Sequence, residues 1–236
     1  MTVELYAGTS GYSYKEWKGS FYPENLPAAE MLRYYGACLP AVEINNTFYR
    51  LPKVSMLTTW AEQVPENFRF AIKASRRITH IKRLKDAQDE TSYLLQTVKS
   101  LGPRLGVVLF QLPPYLRKDV ARLKAFLDTL PDETPAAFEF RDPSWFEHGV
   151  FELLQARNFA LCLADADDET ETTLVRTATW GYVRLRRAHY GEAELTHWVD
   201  QVRAQRWERA YVFFKHEDEG AGPKLAARFL ELATLS

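Results

Sequence analysis

Apolar, β-branched and aromatic residues recur along this chain in short runs, each closed by glycine, proline or a polar cluster. Eight runs read as strands: Val3–Ala7, Ala41–Ile44, Phe68–Lys73, Leu105–Gln111, Ala136–Phe140, Phe159–Leu163, Tyr182–Leu185 and Ala210–Phe214. Between most of them lie helical patterns, at Ala28–Leu39, Val54–Val64, Lys82–Leu101, Arg117–Leu130, Gly149–Asn158, Glu192–Arg206 and Pro223–Leu235. Pro40, Pro65, Gly102 and Pro131 stand just past four of these stretches, where helix stops belong. Strand-then-helix units without a linker or low-complexity tract predict an α/β fold, a (β/α)8 TIM-type barrel forming a single domain over residues 1–236. The sixth unit is the weakest. Asp165–Thr179 is acidic and threonine-rich, so its helix is expected to be short or missing. A doubly wound open sheet is the runner-up, and it lacks the expected GxGxxG after the first strand.

Composition narrows this picture. The 236 residues are 46% hydrophobic and 26% charged, with a net charge of −1, which argues against coating nucleic acid by bulk charge. Cys38 and Cys162 both stand among apolar neighbours and read as small buried hydrophobes. No CxxC or Cys/His cluster points to zinc or iron–sulfur. The first residues lack a basic region followed by an apolar stretch, and no apolar run approaches the ~18 residues of a membrane span. The expectation is a cytoplasmic chain with no membrane partner.

A barrel of this kind builds its site from the C-terminal strand ends and the loops after them. The first such loop, GTSGYSYKEWKGSFYP over residues 8–23, is neither a Walker loop nor a nucleophile elbow. Gly8 and Gly11 read as bends over the rim, with Ser10 facing the mouth. Tyr12, Tyr14 and Trp17 form a wall or lid, and Phe21 and Tyr22 pack it down. In the second strand Glu43 and Asn45 share one face. A carboxylate inside a barrel is expensive unless paired, so Glu43 fits a base, a metal ligand or the partner of a buried arginine. Tyr49 and Arg50 follow in the loop.

The third strand ends at Lys73, a base, Schiff-base former or electrostatic clamp. His80 follows as a proton carrier. From Asn67 to Lys85 there are seven Lys/Arg and no Asp or Glu, either an anion-binding rim or a solvated helix start. Gln111 ends the fourth strand as a possible donor to a ligand. Glu139 and Arg141 point to one side of the fifth, either a ligand fork or an internal ion pair, with Trp145 as a stacking wall. Asp165, Asp167, Asp168 and Glu169 follow the sixth strand, Arg184 and Arg186 share a face of the seventh, and Lys215 and His216 follow the eighth. Rim carboxylates with His216 offer a divalent-metal set, but the neighbouring cations oppose it, and no cofactor is predicted.

Taken together, GTSGYSYKEWKGSFYP, VEINNTFYRLP, FRFAIKASRRITH, VVLFQLPP, FEFRDPSW, YVRLRR and YVFFKHED resemble the YecE-like family, a domain family of unknown function, over nearly the whole chain. The resemblance implies a TIM-barrel fold, similar in shape to xylose-isomerase-like barrels. It maps the family pattern onto Ser10, Tyr12, Trp17, Glu43, Asn45, Thr47, Tyr49, Lys73, Thr79, His80, Gln111, Glu139, Arg141, Trp145 and Arg184. Two places depart from it: Arg186–Arg187 where many members carry His–Gly, and Lys215–His216 where many carry Asn–Asn. Both departures add positive charge at the rim.

The sequence therefore points to a pocket for a small anionic ligand, bearing phosphate or carboxylate. Glu43, Lys73, Glu139 and His216 are its candidate acid–base groups. Ser10, Tyr12, Trp17, Asn45, Tyr49, His80, Gln111, Arg141, Trp145, Arg184, Arg186 and Lys215 are its candidate binding groups. The alternatives are a nucleic-acid-binding or phosphodiester-processing protein, and a non-catalytic scaffold whose strand-end charges neutralise one another.

Overall fold

The computed structural model describes residues 3–166, 174–215 and 220–235. Its strands are β1 (Glu4–Ser10), β2 (Ala41–Ile44), β3 (Arg69–Lys73), β4 (Leu105–Gln111), β5 (Ala136–Glu139), β6 (Ala160–Asp165), β7 (Trp180–Leu185) and β8 (Arg209–Phe214). All pair in parallel and in chain order, and β8 returns to β1 along Glu4–Thr9, closing the barrel. The helices are α1 (Met31–Cys38), α2 (Val54–Gln63), α3 (Gln88–Val98), α4 (Val120–Leu127), α5 (His148–Gln155), α6 (Glu192–Ala204) and α7 (Ala221–Leu235). Each strand expected from the pattern is present.

Two boundaries differ from the sequence expectation in ways that bear on the mouth. β1 continues to Ser10, so Gly8 lies inside the strand. A Cβ there would fall 1.8 Å from the Ala41 carbonyl oxygen, so Gly8 permits the close approach of β1 to β2 rather than a bend over the rim. The bend falls to Gly11, at φ +101°. α3 begins at Gln88 rather than Lys82, because residues 77–81 form a π-helical turn and Arg83, Leu84 and Asp86 adopt φ of 51°, 67° and 49°. Left-handed backbone disfavours non-glycine residues by roughly 1–2 kcal/mol each. Packing holds this loop in place, with Leu84 buried and its N–H donating to Ile78 O at 3.0 Å. Between β6 and β7, residues 174–179 form no helix. Asp167, Asp168 and Glu169 lie outside the described residues.

Strand alternation sends one set of side chains outward and the other into the bore. Phe70, Phe110, Phe138 and Phe214 pack outward, Phe110 meeting Phe126 of α4 at 5.3 Å. The bore is filled in layers. Tyr6, Trp180 and Tyr211 plug its N-terminal end, with Tyr6 and Tyr211 stacked at 5.2 Å and Trp180 edge-on at 5.9 Å. Ala71, Leu109, Ala137, Cys162 and Phe213 fill the middle. Cys162 is buried as expected, whereas Cys38, the last residue of α1, is exposed. Above the middle layer the alternating positions become Glu43, Lys73, Gln111, Glu139 and Arg184.

Candidate functional site at the C-terminal end of the barrel

The upper layer is organised by Arg184, buried within β7. Its Nη2 donates to Glu43 Oε1 at 2.7 Å and its Nη1 to Glu139 Oε2 at 2.7 Å, tying β2, β5 and β7 across the bore. The remaining capacity of both carboxylates is largely taken. Glu43 accepts from Ser10 Oγ at 2.8 Å, Tyr182 Oη at 2.7 Å and Asn45 Nδ2 at 3.1 Å. Glu139 accepts from Gln111 Nε2 at 2.7 Å and Arg141 Nε at 3.0 Å. Two carboxylates held this way can stay charged away from water. Burial opposes ionisation of Glu43 and of Glu139, and Arg184 with its neighbours overcomes it, holding both carboxyls below their usual range. Arg184 Nε is buried and has no hydrogen-bond partner among the described residues.

Among the described residues of this layer, the cations outnumber the acids. Arg184, Arg141, Arg186 and Lys73 all act on Glu139, while the carboxylates within this network are Glu43 and Glu139. Arg141 is partly engaged by Glu139. Among the described residues, Lys73 and Arg186 make no ion pair. Lys73 Nζ instead lies 4.4 Å from the centre of the Phe48 ring. Burial and then Arg184 push the Lys73 ammonium down to about 8. Burial and Arg184 likewise lower Arg186. His80, carried on the π-helical turn, packs edge-on against Phe48 at 4.8 Å and shares a 2.9 Å hydrogen bond with Thr79 Oγ1. Burial, then Lys73 and Arg141, depress its pKa, which favours the neutral ring.

The structure thus gathers Ser10, Glu43, Asn45, Lys73, His80, Gln111, Glu139, Arg141, Arg184 and Arg186 around one mouth. Ser10, Asn45 and Gln111 turn a donor onto a carboxylate, so they support the acids. Two expected walls are elsewhere. Trp17 is buried within its own loop, against Tyr14 at 4.8 Å, Phe21 at 5.8 Å and Tyr22 at 5.9 Å. Trp145 is buried and stacked on Phe140 at 4.7 Å, with Nε1 donating to Leu116 O. Both are apolar enough that burial outweighs a place at the mouth. Tyr49 is exposed on the rim, 72% accessible. Tyr12 stands further out, edge-on to Trp60 at 6.4 Å. These two rings line both a cleft of about 110 Å3 reaching Asn45 and a groove of about 330 Å3 against α1 and α2. Lys215 is half-buried just past β8. His216 lies outside the described residues, as does most of the acidic run after β6. Among the described residues, no three His, Cys, Asp or Glu side chains gather as a metal set.

Sequence reasoning missed Tyr182, Phe48 and Trp60. Tyr182 was within reach of the alternation rule, being two residues before Arg184 on the same strand face. Phe48 and Trp60 carry no such signal, because their roles come from packing between loops. The basic run of residues 67–85 is also dispersed. Arg69 sits at the opposite end of β3 over the Tyr6 ring, at 5.2 Å. Arg77 and Lys82 both pair with Glu90, at 2.8 and 2.7 Å.

Comparison with known proteins agrees with this architecture. The chain is 31% identical to the UPF0759 protein YecE of Escherichia coli (strain K12) over 146 residues, 61% of this chain and 51% of YecE. It is 30% identical to the UPF0759 protein YunF of Bacillus subtilis (strain 168) over 157 residues, 63% of this chain and 54% of YunF. The chain therefore spans about half the length of the curated relatives it matches. The crystal structure of a DUF72 family protein from Thermotoga maritima superposes with a TM-score of 0.87 at 26% identity, covering 98% of this chain and 99% of that one. A xylose isomerase-like TIM barrel fused to a 4-hydroxyphenylpyruvate dioxygenase shares the fold at a TM-score of 0.53 and 11% identity, covering 98% of this chain and 42% of that one. With the family model "Protein of unknown function DUF72" matching residues 6–236, the chain belongs to the DUF72 family, built on a TIM-type barrel.

Proposed function

We propose that the chain binds a small anionic ligand, bearing a phosphate or carboxylate, at the C-terminal end of the barrel. The observation that carries this reading is the charge imbalance of the upper layer. Both carboxylates are engaged by Arg184, while Lys73 and Arg186 stand nearby without an acid partner among the described residues. Half-buried positive charge without a counterion is unfavourable, and an incoming anion would relieve it. Arg184 Nε, without a partner among the described residues, is a further buried donor that an acceptor could satisfy.

Within this site Glu43 and Glu139 serve as anchors of Arg184 rather than as bases. Taking up a proton would weaken the ion pairs that hold them. Lys73 is the better proton carrier, since its pKa of about 8 lies close to neutral pH. Ion pairing of Arg184 alone would equally suit a scaffold, and Lys73 and Arg186, without an acid partner among the described residues, favour the binding reading over it. The dispersal of the basic run weakens the nucleic-acid reading, because no continuous basic stripe remains along residues 67–85.

The test is calorimetric titration at low salt with inorganic phosphate and with small carboxylates. Arg186→Ala and Lys73→Met leave the Glu43–Arg184–Glu139 network intact and are expected to weaken binding about tenfold or more, a change of about 1.4 kcal/mol. Unchanged affinity in both variants, or no binding by the unmodified protein, overturns the reading.

A further inference from the structure

We infer that Lys73 is a covalent amine, which condenses with the carbonyl carbon of an oxo-acid held by the arginines around it. This rests on the anion pocket proposed above and assigns it a substrate class: small 2-oxo carboxylates.

The geometry differs from that of a lysine used as a counterion. Lys73 ends β3 inside the mouth, yet its Nζ forms no ion pair or hydrogen bond among the described residues. It rests against the face of Phe48 at 4.4 Å. Thr47, beside Phe48, fixes that contact from the backbone side, its single hydroxyl hydrogen shared between Lys73 O at 2.7 Å and Ile44 O at 3.1 Å. The two carboxylates best placed to neutralise Lys73 are both committed to Arg184. The charged groups acting on the amine are Arg184, Glu43, Glu139 and Arg141, and Lys73 in turn acts on the neighbouring His80. A lysine whose ammonium is pushed down to about 8 keeps on the order of a tenth of its amine free near neutral pH. Nucleophilic lysines are activated in this way, by desolvation and an adjacent cationic group. Arg141 acts on the Lys73 amine and, with Arg186, on Glu139, and the two guanidiniums would together hold a carboxylate so that the carbonyl of a 2-oxo acid lies one bond from the clamped group.

The step balances within the two reactants. The free amine adds to the carbonyl carbon and forms a C–N bond. The two hydrogens of the amine leave with the carbonyl oxygen as water, and an imine joins Lys73 to the ligand. No oxidant or reductant takes part. An added hydride donor would reduce the imine carbon and lock the adduct as a secondary amine.

The experiment incubates the whole protein with pyruvate and cyanoborohydride, followed by intact-mass measurement and peptide mapping, alongside calorimetric titration with pyruvate alone. The expected result is one reduced pyruvyl adduct, on Lys73, whose rate saturates with pyruvate and falls when inorganic phosphate is added. Lys73→Arg, which keeps the charge, and Lys73→Met, which removes it, should both lose the adduct, with circular dichroism confirming that each variant is folded. Pyruvate binding without a Lys73 adduct overturns the imine and leaves the anion pocket standing. An adduct spread over surface lysines, or formed equally in Lys73→Arg, also overturns it. Neither pyruvate binding nor adduct overturns the imine, and the anion pocket falls with it only if inorganic phosphate also fails to bind.

Discussion

The two ends of the barrel bore obey the same alternation and hold opposite contents. At the N-terminal end, Tyr6, Trp180 and Tyr211 close the bore with stacked rings. At the C-terminal end, the same strands present Ser10 from β1 and Tyr182 and Arg184 from β7, joined to Glu43 and Glu139. Apolar rings fill space with little demand on geometry beyond shape. Buried charges must be paired and hydrogen-bonded, and each added partner constrains the next. One end is therefore a plug that tolerates repacking, and the other is a network whose parts depend on one another.

Removing Arg184 should break this contrast most strongly. Arg184→Ala leaves two buried carboxylates facing each other without their shared cation, and breaking buried ion pairs costs about 3–5 kcal/mol each way. Urea denaturation should show a loss of at least that order, together with loss of anion binding. A mild effect would mean that the upper layer is not coupled. Trp180→Ala, at the other end, should also cost about 3–5 kcal/mol as a large core truncation. Calorimetry should nevertheless find anion affinity unchanged, because the plug lies below the apolar middle layer. If affinity fell with it, the two ends would not be independent.

Tyr182→Phe probes the junction between them. It leaves Glu43 Oε2 without its buried donor at an expected cost of about 1–3 kcal/mol, measurable by thermal or urea melts. The pH dependence should sharpen the contrast further. Glu43 and Glu139 have native pKa values below the ordinary 4.5, so their stabilisation is fully present above that value and is lost as pH falls below it. Glu139→Gln should flatten this acid limb. Lys73 has the opposite consequence. Its native pKa of about 8 lies below the ordinary 10.5, so between these values the unfolded chain binds more protons and stability rises with pH. Denaturation of Lys73→Met should lack that rise, the smallest of these effects because Lys73 is only half-buried. A saturating anion should reduce the rise in the unmodified protein by drawing the Lys73 pKa back up.

Comparing the two ends also separates what could be read from the chain from what could not. Strand runs and turn signals are local, and they located all eight strands because side-chain alternation and stop residues act over a few positions. They located the upper layer too, since strand-end position alone picks out Glu43, Lys73, Gln111, Glu139 and Arg184. They misplaced Trp17 and Trp145, whose identity as aromatics does not say which side of a loop they face. They also carried α3 back to Lys82, where packing of Leu84 instead holds a left-handed turn.

By itself, then, the sequence determined the barrel, the order of its units and the set of charged residues at its mouth. The tertiary structure alone decided which of those charges neutralise one another. Glu43 and Arg184 are 141 positions apart, and no local pattern relates them. They meet because eight parallel strands close into one ring, and a fully buried charge in the narrow bore is stable only with a partner across the barrel.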